Sequence, residues 1–122
     1  MKLQACLEDL LTRGLDDWIQ AAEVDSVSRT TGGAKADETR RELSLQLIRK
    51  LLEDGLAEAG MVEEQGGFVP WGIPVEDAMQ RIEREWPRRS SGPGLGEVCW
   101  LNLTAEGQAL AQERSRTTRR DS

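Results

Sequence analysis

The side chains able to do chemistry are few, and their spacing works against it. Carboxylates come as adjacent pairs, Glu8/Asp9, Asp16/Asp17 and Glu63/Glu64; carboxylates are a residue type for general acid–base work. Helical neighbours point about 100° apart, so such a pair does not converge on one substrate, and solvated helix faces and caps are their expected use. The chain has no histidine. That removes the commonest base near neutral pH and any Ser–His–Asp or Cys–His arrangement. Cys6 and Cys99 lie far apart with no CxxC pair, so neither a disulfide scaffold nor a conventional zinc site is expected. Cys99 alternates with Trp100 on an expected strand and has no base or cation placed to activate it, so it reads as a buried structural thiol. Gly92-Pro93-Gly94-Leu95-Gly96 has the glycines of a phosphate loop but precedes a strand and contains no Lys, and Gly32-Gly33-Ala34-Lys35 lacks the Lys-Ser/Thr ending. Both are connectors. No catalytic residue, metal ligand or cofactor follows from these residues, and the chain is expected not to be an enzyme.

Composition bounds the remaining classes. At 122 residues, with 38% hydrophobic and 31% charged side chains, one globular domain over 1–112 is expected, followed by a flexible basic tail, 113–122. One Phe, four Trp and no Tyr leave the core to Leu, Ile, Val, Ala and Met. The net charge of −6 repels a polyanion at long range. Residues 1–28 carry two basic and six acidic side chains, and residues 37–64 four basic and eight acidic; the 29–36 stretch and the tail, with Arg114, Arg116, Arg119 and Arg120, lean positive. No run approaches the roughly 18 apolar residues of a bilayer span. Leu3-Gln4-Ala5-Cys6 mimics a lipoprotein cleavage box, but no apolar stretch precedes it, and Glu8 and Asp9 follow at once. A cytoplasmic protein with reduced thiols and no membrane association is the expectation.

Periodicity supplies the elements that must position any site. Leu3, Leu7, Leu10 and Leu11 predict a helix over 2–13, ended by Gly14. Leu15, Trp18, Ile19 and Ala22 repeat the helical spacing and predict a second helix. Residues 25–36 read as a polar, glycine-containing connection. Asp37 is expected to cap the longest helix, 38–54, whose stripe is Leu43, Leu47, Ile48, Leu51 and Leu52, with Gly55 as its stop. Residues 56–62 are open between helix and strand. A strand near 60–63, hairpinned through Gln65-Gly66-Gly67 to Phe68-Val69-Pro70-Trp71, fits better, and Pro70 confines the second strand to an edge or an end. Pro74 opens a helix with the stripe Val75, Met79, Ile82 and Trp86, and Asp77–Arg81 and Arg81–Glu85 lie at pairing distance along its outer face. After an exposed loop at 88–96, a strand at 97–103 passes directly to a helix at 104–112, capped by Thr104.

The order of these elements resembles a winged-helix domain. Leu103-Thr104-Ala105-Glu106-Gly107 resembles the strand-to-helix junction, Leu-Thr-x-x-Gly, of bacterial winged-helix regulators, over roughly residues 37–112; the pattern is otherwise similar to small bacterial proteins. The resemblance implies an α+β fold, a winged-helix-like helical core with a small antiparallel sheet, and a helical insertion between the strands. It puts 38–54 in the recognition-helix position, with Arg40, Arg41, Arg49 and Lys50 as the residues that would meet nucleic acid. The charges oppose that use: Asp37 lies four before Arg41, Glu53 four after Arg49, and Asp54 four after Lys50. The preferred expectation is a non-enzymatic protein-interaction module, for instance an adaptor or a neutralising partner of a basic protein, with a DNA-binding regulator as the alternative. Its candidate partner-binding residues are Phe68, Trp71, Ile73, Arg88 and Arg89. A second copy is an alternative partner, because the Leu-rich first helix either completes the core or pairs with its equal.

Overall fold

The computed structural model describes the backbone of residues 2–121 and side chains as far as Arg116. Five helices and a four-stranded antiparallel sheet alternate along the chain: α1 Leu3–Asp16, β1 Ile19–Gln20, α2 Ala21–Thr30, α3 Asp37–Glu53, β2 Ala57–Glu63, β3 Gly67–Pro70, α4 Val75–Glu85, β4 Trp100–Leu103 and α5 Ala105–Asp121. The strand order is β1-β4-β2-β3, so the last strand in sequence lies between the first and the second. The fold class is α+β, as expected, with α4 inserted between β3 and β4.

The first third departs most from the sequence reading. Gly14 does not end the first helix. It sits inside α1, where a Cβ would lie 2.7 Å from Leu103 Cγ, so its small size lets the helix lie against β4. No separate helix forms around Leu15, Trp18, Ile19 and Ala22: Leu15 belongs to the last turn of α1, Ile19 and Gln20 pair with Leu101 and Trp100 as β1, and Ala22 belongs to α2. α2 begins at Ala21 under a reciprocal cap, the Gln20 side chain on the N3 backbone and the Glu23 side chain on the Gln20 backbone. It runs through the first half of the stretch read as a connection, 25–30, because Val24, Val27 and Ser28 are buried.

The remainder follows expectation closely. α3 starts at Asp37 with Ala36 as its cap residue, so Asp37 lies in the first turn. Gly55, at φ +69°, ends it. β2 resolves the ambiguity at 56–62 as strand and begins at Ala57. In α4, Met79 and Ile82 are buried, with Trp86 just beyond; Arg81 pairs with Glu85 at 3.1 Å, whereas Asp77 forms no ion pair among the described residues. The final strand is shorter than 97–103, since Val98 adopts φ +73° and breaks the extended run. α5 continues past residue 112 to Asp121, taking in most of the expected tail; the side chains of Arg119 and Arg120 and all of Ser122 lie outside the described residues. The core joins helices and sheet through Leu10, Ile19, Leu47, Ile48, Leu51, Met79 and Leu101, all at most 1% exposed.

The Leu103–Gly107 junction holds three elements together. Thr104 Oγ1 donates to Gly55 O at 2.7 Å and accepts from Gly107 N at 3.1 Å, and Thr104 N donates to Leu56 O at 3.0 Å. One hydroxyl thus serves the end of α3 and the start of α5. Thr104→Val keeps the shape and removes both side-chain bonds, so it is expected to cost about 1–2 kcal/mol, read as a lower urea midpoint with an unchanged slope.

Candidate functional site

β2 runs on past the point where β3 leaves it. After Pro70 the chain turns at Gly72, φ +64°, and Pro74 starts α4. The gap between strand and helix is an open groove of about 340 Å³, lined by Leu52, Ala57, Ala59, Trp71, Ile73, Val75 and Ala78 among others. Trp71 forms one wall. The Arg81 guanidinium stacks on its ring, 4.0 Å from the centroid, while Glu85 holds Arg81 from the other side. The Trp71 indole N–H is buried and has no hydrogen-bond partner among the described residues. Ile73 is 42% exposed, one of the large hydrophobic side chains the fold leaves in water, with Val69 and Leu95. Glu58 lines the groove, and Asp77 follows on α4 between the lining residues Val75 and Ala78; both are exposed and without an ion pair among the described residues.

The five candidate partner-binding residues divide among three places. Trp71 and Ile73 meet in the groove. Phe68 packs against Trp18 with ring centroids 6.4 Å apart. Arg88 and Arg89 line a second, polar cleft of about 220 Å³ together with Arg40, Arg41 and Trp86. Arg89 is held by Glu97 and also donates to Gly92 O at 3.2 Å; Arg88 is exposed.

Three of the four bases of α3, Arg40, Arg49 and Lys50, are ion-paired within the molecule, and the fourth, Arg41, has a carbonyl partner. Arg40 is 2% exposed. Its Nε donates to Asp25 at 2.9 Å, and its terminal nitrogens donate to Lys35 O, Asp37 and Ser90 O at 3.1, 3.2 and 2.5 Å. It cannot reach a phosphate without dismantling that network. Asp37 therefore serves Arg40 and not Arg41, as the spacing had suggested; Arg41 instead donates to Glu83 O at 3.3 Å. Arg49 lies between Glu53 and Glu76, and Lys50 pairs with Asp54. Sequence reading missed the Arg40 network because Asp25 and Ser90 are 15 and 50 positions away from it. A buried Ser28–Ser44 hydroxyl bond of 2.9 Å ties the same two helices and carries no local signal either.

Nucleophilic and phosphate-binding chemistry find little support in the geometry. Burial, reinforced by the Glu85 carboxylate and opposed by Arg81, pushes the Cys99 thiol up to about 12. Burial and then Asp9, against Lys2, raise Cys6 as well. Both thiols stay protonated at neutral pH. The Glu8/Asp9 pair diverges: Glu8 goes to Arg114, Asp9 to Arg13 and Thr31. Burial works to raise Asp9, but the bonds from Arg13 and Thr31 outweigh it and hold the group below the usual range. In the 92–96 loop the glycine amides are already used, Gly94 N by Glu97 and Gly96 N by Gln20 Oε1 at 2.8 Å.

The Gly94 amide, followed by Arg89, holds Glu97 below the ordinary carboxylate range. A lowered folded-state pKa contributes stability above the unfolded value and loses it as pH falls through the folded value. The 94–97 turn is therefore expected to stay closed through the ordinary Glu range near ~4.3 and to loosen only below it. The Gly94 amide shift followed by NMR against pH reads this, and a midpoint at or above the ordinary value contradicts it.

No helix among the described residues is long and apolar enough to cross a membrane. Compared with family models, curated proteins and solved structures, the chain matches none.

Proposed function

We propose that this protein is a non-enzymatic interaction module that engages a protein partner through the groove at Trp71 and Ile73. One observation carries the reading: an open apolar groove walled by Trp71 displays a half-exposed Ile73, beside exposed Glu58 and Asp77 carboxylates that have no ion pair among the described residues. Trp is the residue type most enriched among interface hot spots, and a grouped apolar surface rimmed by charge is the usual form of a docking site. The partner this surface suits is basic, which agrees with a net charge of −6. A photo-reactive benzoylphenylalanine at Ile73 should cross-link a protein in cells, and the same group at Gln46, on the outer face of α3, should not. The cross-linked protein, purified, should then bind the wild-type chain directly. Equal cross-linking from both positions, or no direct binding, defeats the proposal.

A second reading rests on element order. Helix, strand, helix, helix and strand, closed by β4 between β1 and β2, resembles the order of a winged-helix domain, with α4 as a helical insertion between the strands. On this reading α3 would occupy a DNA groove through Arg41, Arg49 and Lys50. Their carboxylate and carbonyl partners weigh against it, because phosphate contacts need surplus positive charge. Anisotropy with a labelled duplex at low salt is expected to show no saturable binding. Saturable, salt-dependent binding weakened by Arg49→Ala with Lys50→Ala would make this the better reading.

A further inference from the structure

The ladder around the groove leaves one main-chain position open. β2 and β3 pair as Gly60↔Pro70, Met61↔Val69, Val62↔Phe68 and Glu63↔Gly67, and the last bond on that side is Trp71 N to Ala59 O at 3.0 Å. Antiparallel pairing exchanges bonds at every second residue, so Ala59, Met61 and Glu63 turn their N–H and C=O toward β3. On the other side Leu56 O accepts from Thr104 N, which places positions 56, 58 and 60 in the bonds to β4. By the same alternation, Ala57 directs its N–H and C=O to the side that β3 has vacated. No described residue pairs with them there, and Ala57 is only 5% exposed. Buried main-chain polar groups are nearly always paired. The next line of strand is missing, and the groove occupies its place.

We propose that the groove is a strand-addition slot: an extended segment of a partner protein, alternating apolar with Lys or Arg residues, continues the line of β3 beside Ala57. Strand addition takes its affinity from main-chain bonds and its selectivity from alternate side chains. The apolar series would lie against Trp71, Ile73, Val75 and Ala78. The cationic series answers Glu58 and Asp77. The nearby cations cannot neutralise these groups, because Arg49 is held by Glu53 and Glu76 and Arg81 by Glu85. The outer edge of β3 is a poorer template, since Pro70 has no N–H to offer there. The inference rests on the interaction reading above and adds the partner's conformation and charge.

The test uses the full chain and a fluorescein-labelled peptide, Lys-Val-Arg-Val-Lys-Val, with three comparisons: a version N-methylated at its central residues, a Glu-for-Lys/Arg version, and the Glu58→Lys protein. Binding is expected to slow hydrogen exchange at the Ala57 amide, to weaken at least tenfold on N-methylation, and to weaken at least tenfold with the acidic peptide or the Glu58→Lys protein. Binding that N-methylation leaves unchanged, or that leaves Ala57 exchange as it was, overturns strand addition. Equal binding of the acidic peptide overturns the charge class. No binding by any peptide, or pairing of two copies through Ala57 in sedimentation, overturns the proposal too. The Ile73 cross-link is read independently, so these failures stay distinct from failure of the interaction reading itself.

Discussion

Arg40→Ala is expected to destabilise the protein by about 3–5 kcal/mol, a large share of the roughly 5–15 kcal/mol that keeps a domain folded. The expectation comes from the asymmetry of buried pairs. The Arg40–Asp25 bond is 2.9 Å long, with the two side chains 3% and 10% exposed. Removing the guanidinium leaves the Asp25 carboxylate with little water and no cation, Lys35 O loses its donor, and Ser90 O keeps only the longer bond from Arg29, at 3.5 Å. The 87–92 loop is held to α3 chiefly through those contacts, with Ser90 Oγ on Asp37 at 3.0 Å as a further tie, so it should be released at the same time. Replacing both partners removes the uncompensated charge. Arg40→Met with Asp25→Leu is therefore expected to recover most of the loss. Urea unfolding of the two variants checks it: a single variant within 1 kcal/mol of wild type, by the linear analysis, contradicts a structural role for Arg40.

Gly107→Ala is the second large effect, at about 3 kcal/mol, the upper end of the range for overpacking. A Cβ at this position would lie 2.0 Å from Leu56 O and 2.9 Å from Leu56 C. Both are backbone atoms, at the turn where α3 passes to β2, and neither can move without breaking the Thr104 N–Leu56 O bond. Gly66→Ala is the matched control. Its Cβ would meet nothing closer than 3.5 Å, and it is expected to stay within about 0.5 kcal/mol of wild type. If thermal or urea unfolding shows the two variants equal, the close approach of α5 to this turn is wrong.

These two residues also mark what could be read in the chain beforehand. Gly107 belongs to the Leu103–Gly107 motif, and the structure supplies a reason for its glycine: α5 packs so close to the α3–β2 turn that a side chain does not fit. α3, the β2–β3 hairpin and α4 were legible because each carries its own period and its own stop signal, Gly55, Gly66-Gly67 and Pro87. β1 was not. Two residues cannot display a period of two, and Leu15, Trp18, Ile19 and Ala22 keep helical spacing by coincidence while Ile19 is fixed by its pairing with Leu101. The capping box at Gln20 and Glu23 was a usable signal for α2 that the apolar spacing obscured. The Arg40 network was illegible for a different reason: on its own helix Arg40 looks like any surface base, and only the packing of α2 and of the 87–92 loop buries it.

The candidate site was half legible. Trp71 and Ile73 stood out for their proline- and glycine-flanked setting, and the groove does unite them. Phe68 and the Arg88-Arg89 pair share the stretch of sequence but not the place, because the chain crosses from the sheet edge to α4 between them. The open main-chain position at Ala57 follows from where β3 stops, which depends on the turn at Gly72 and on no feature of Ala57 itself.

The central claim is that partners dock at the groove and not along α3. The direct measurement is the affinity of the partner cross-linked from position 73, compared between Ile73→Asp and the Arg49→Ala, Lys50→Ala double variant, each first shown to unfold at the wild-type urea midpoint. The account predicts at least a tenfold loss of affinity for Ile73→Asp and a change of less than about twofold for the α3 variant, since truncating a central apolar anchor costs upward of 1.4 kcal/mol while exposed charges cost little. The reverse pattern, with the groove variant binding normally and the α3 variant impaired, would contradict it.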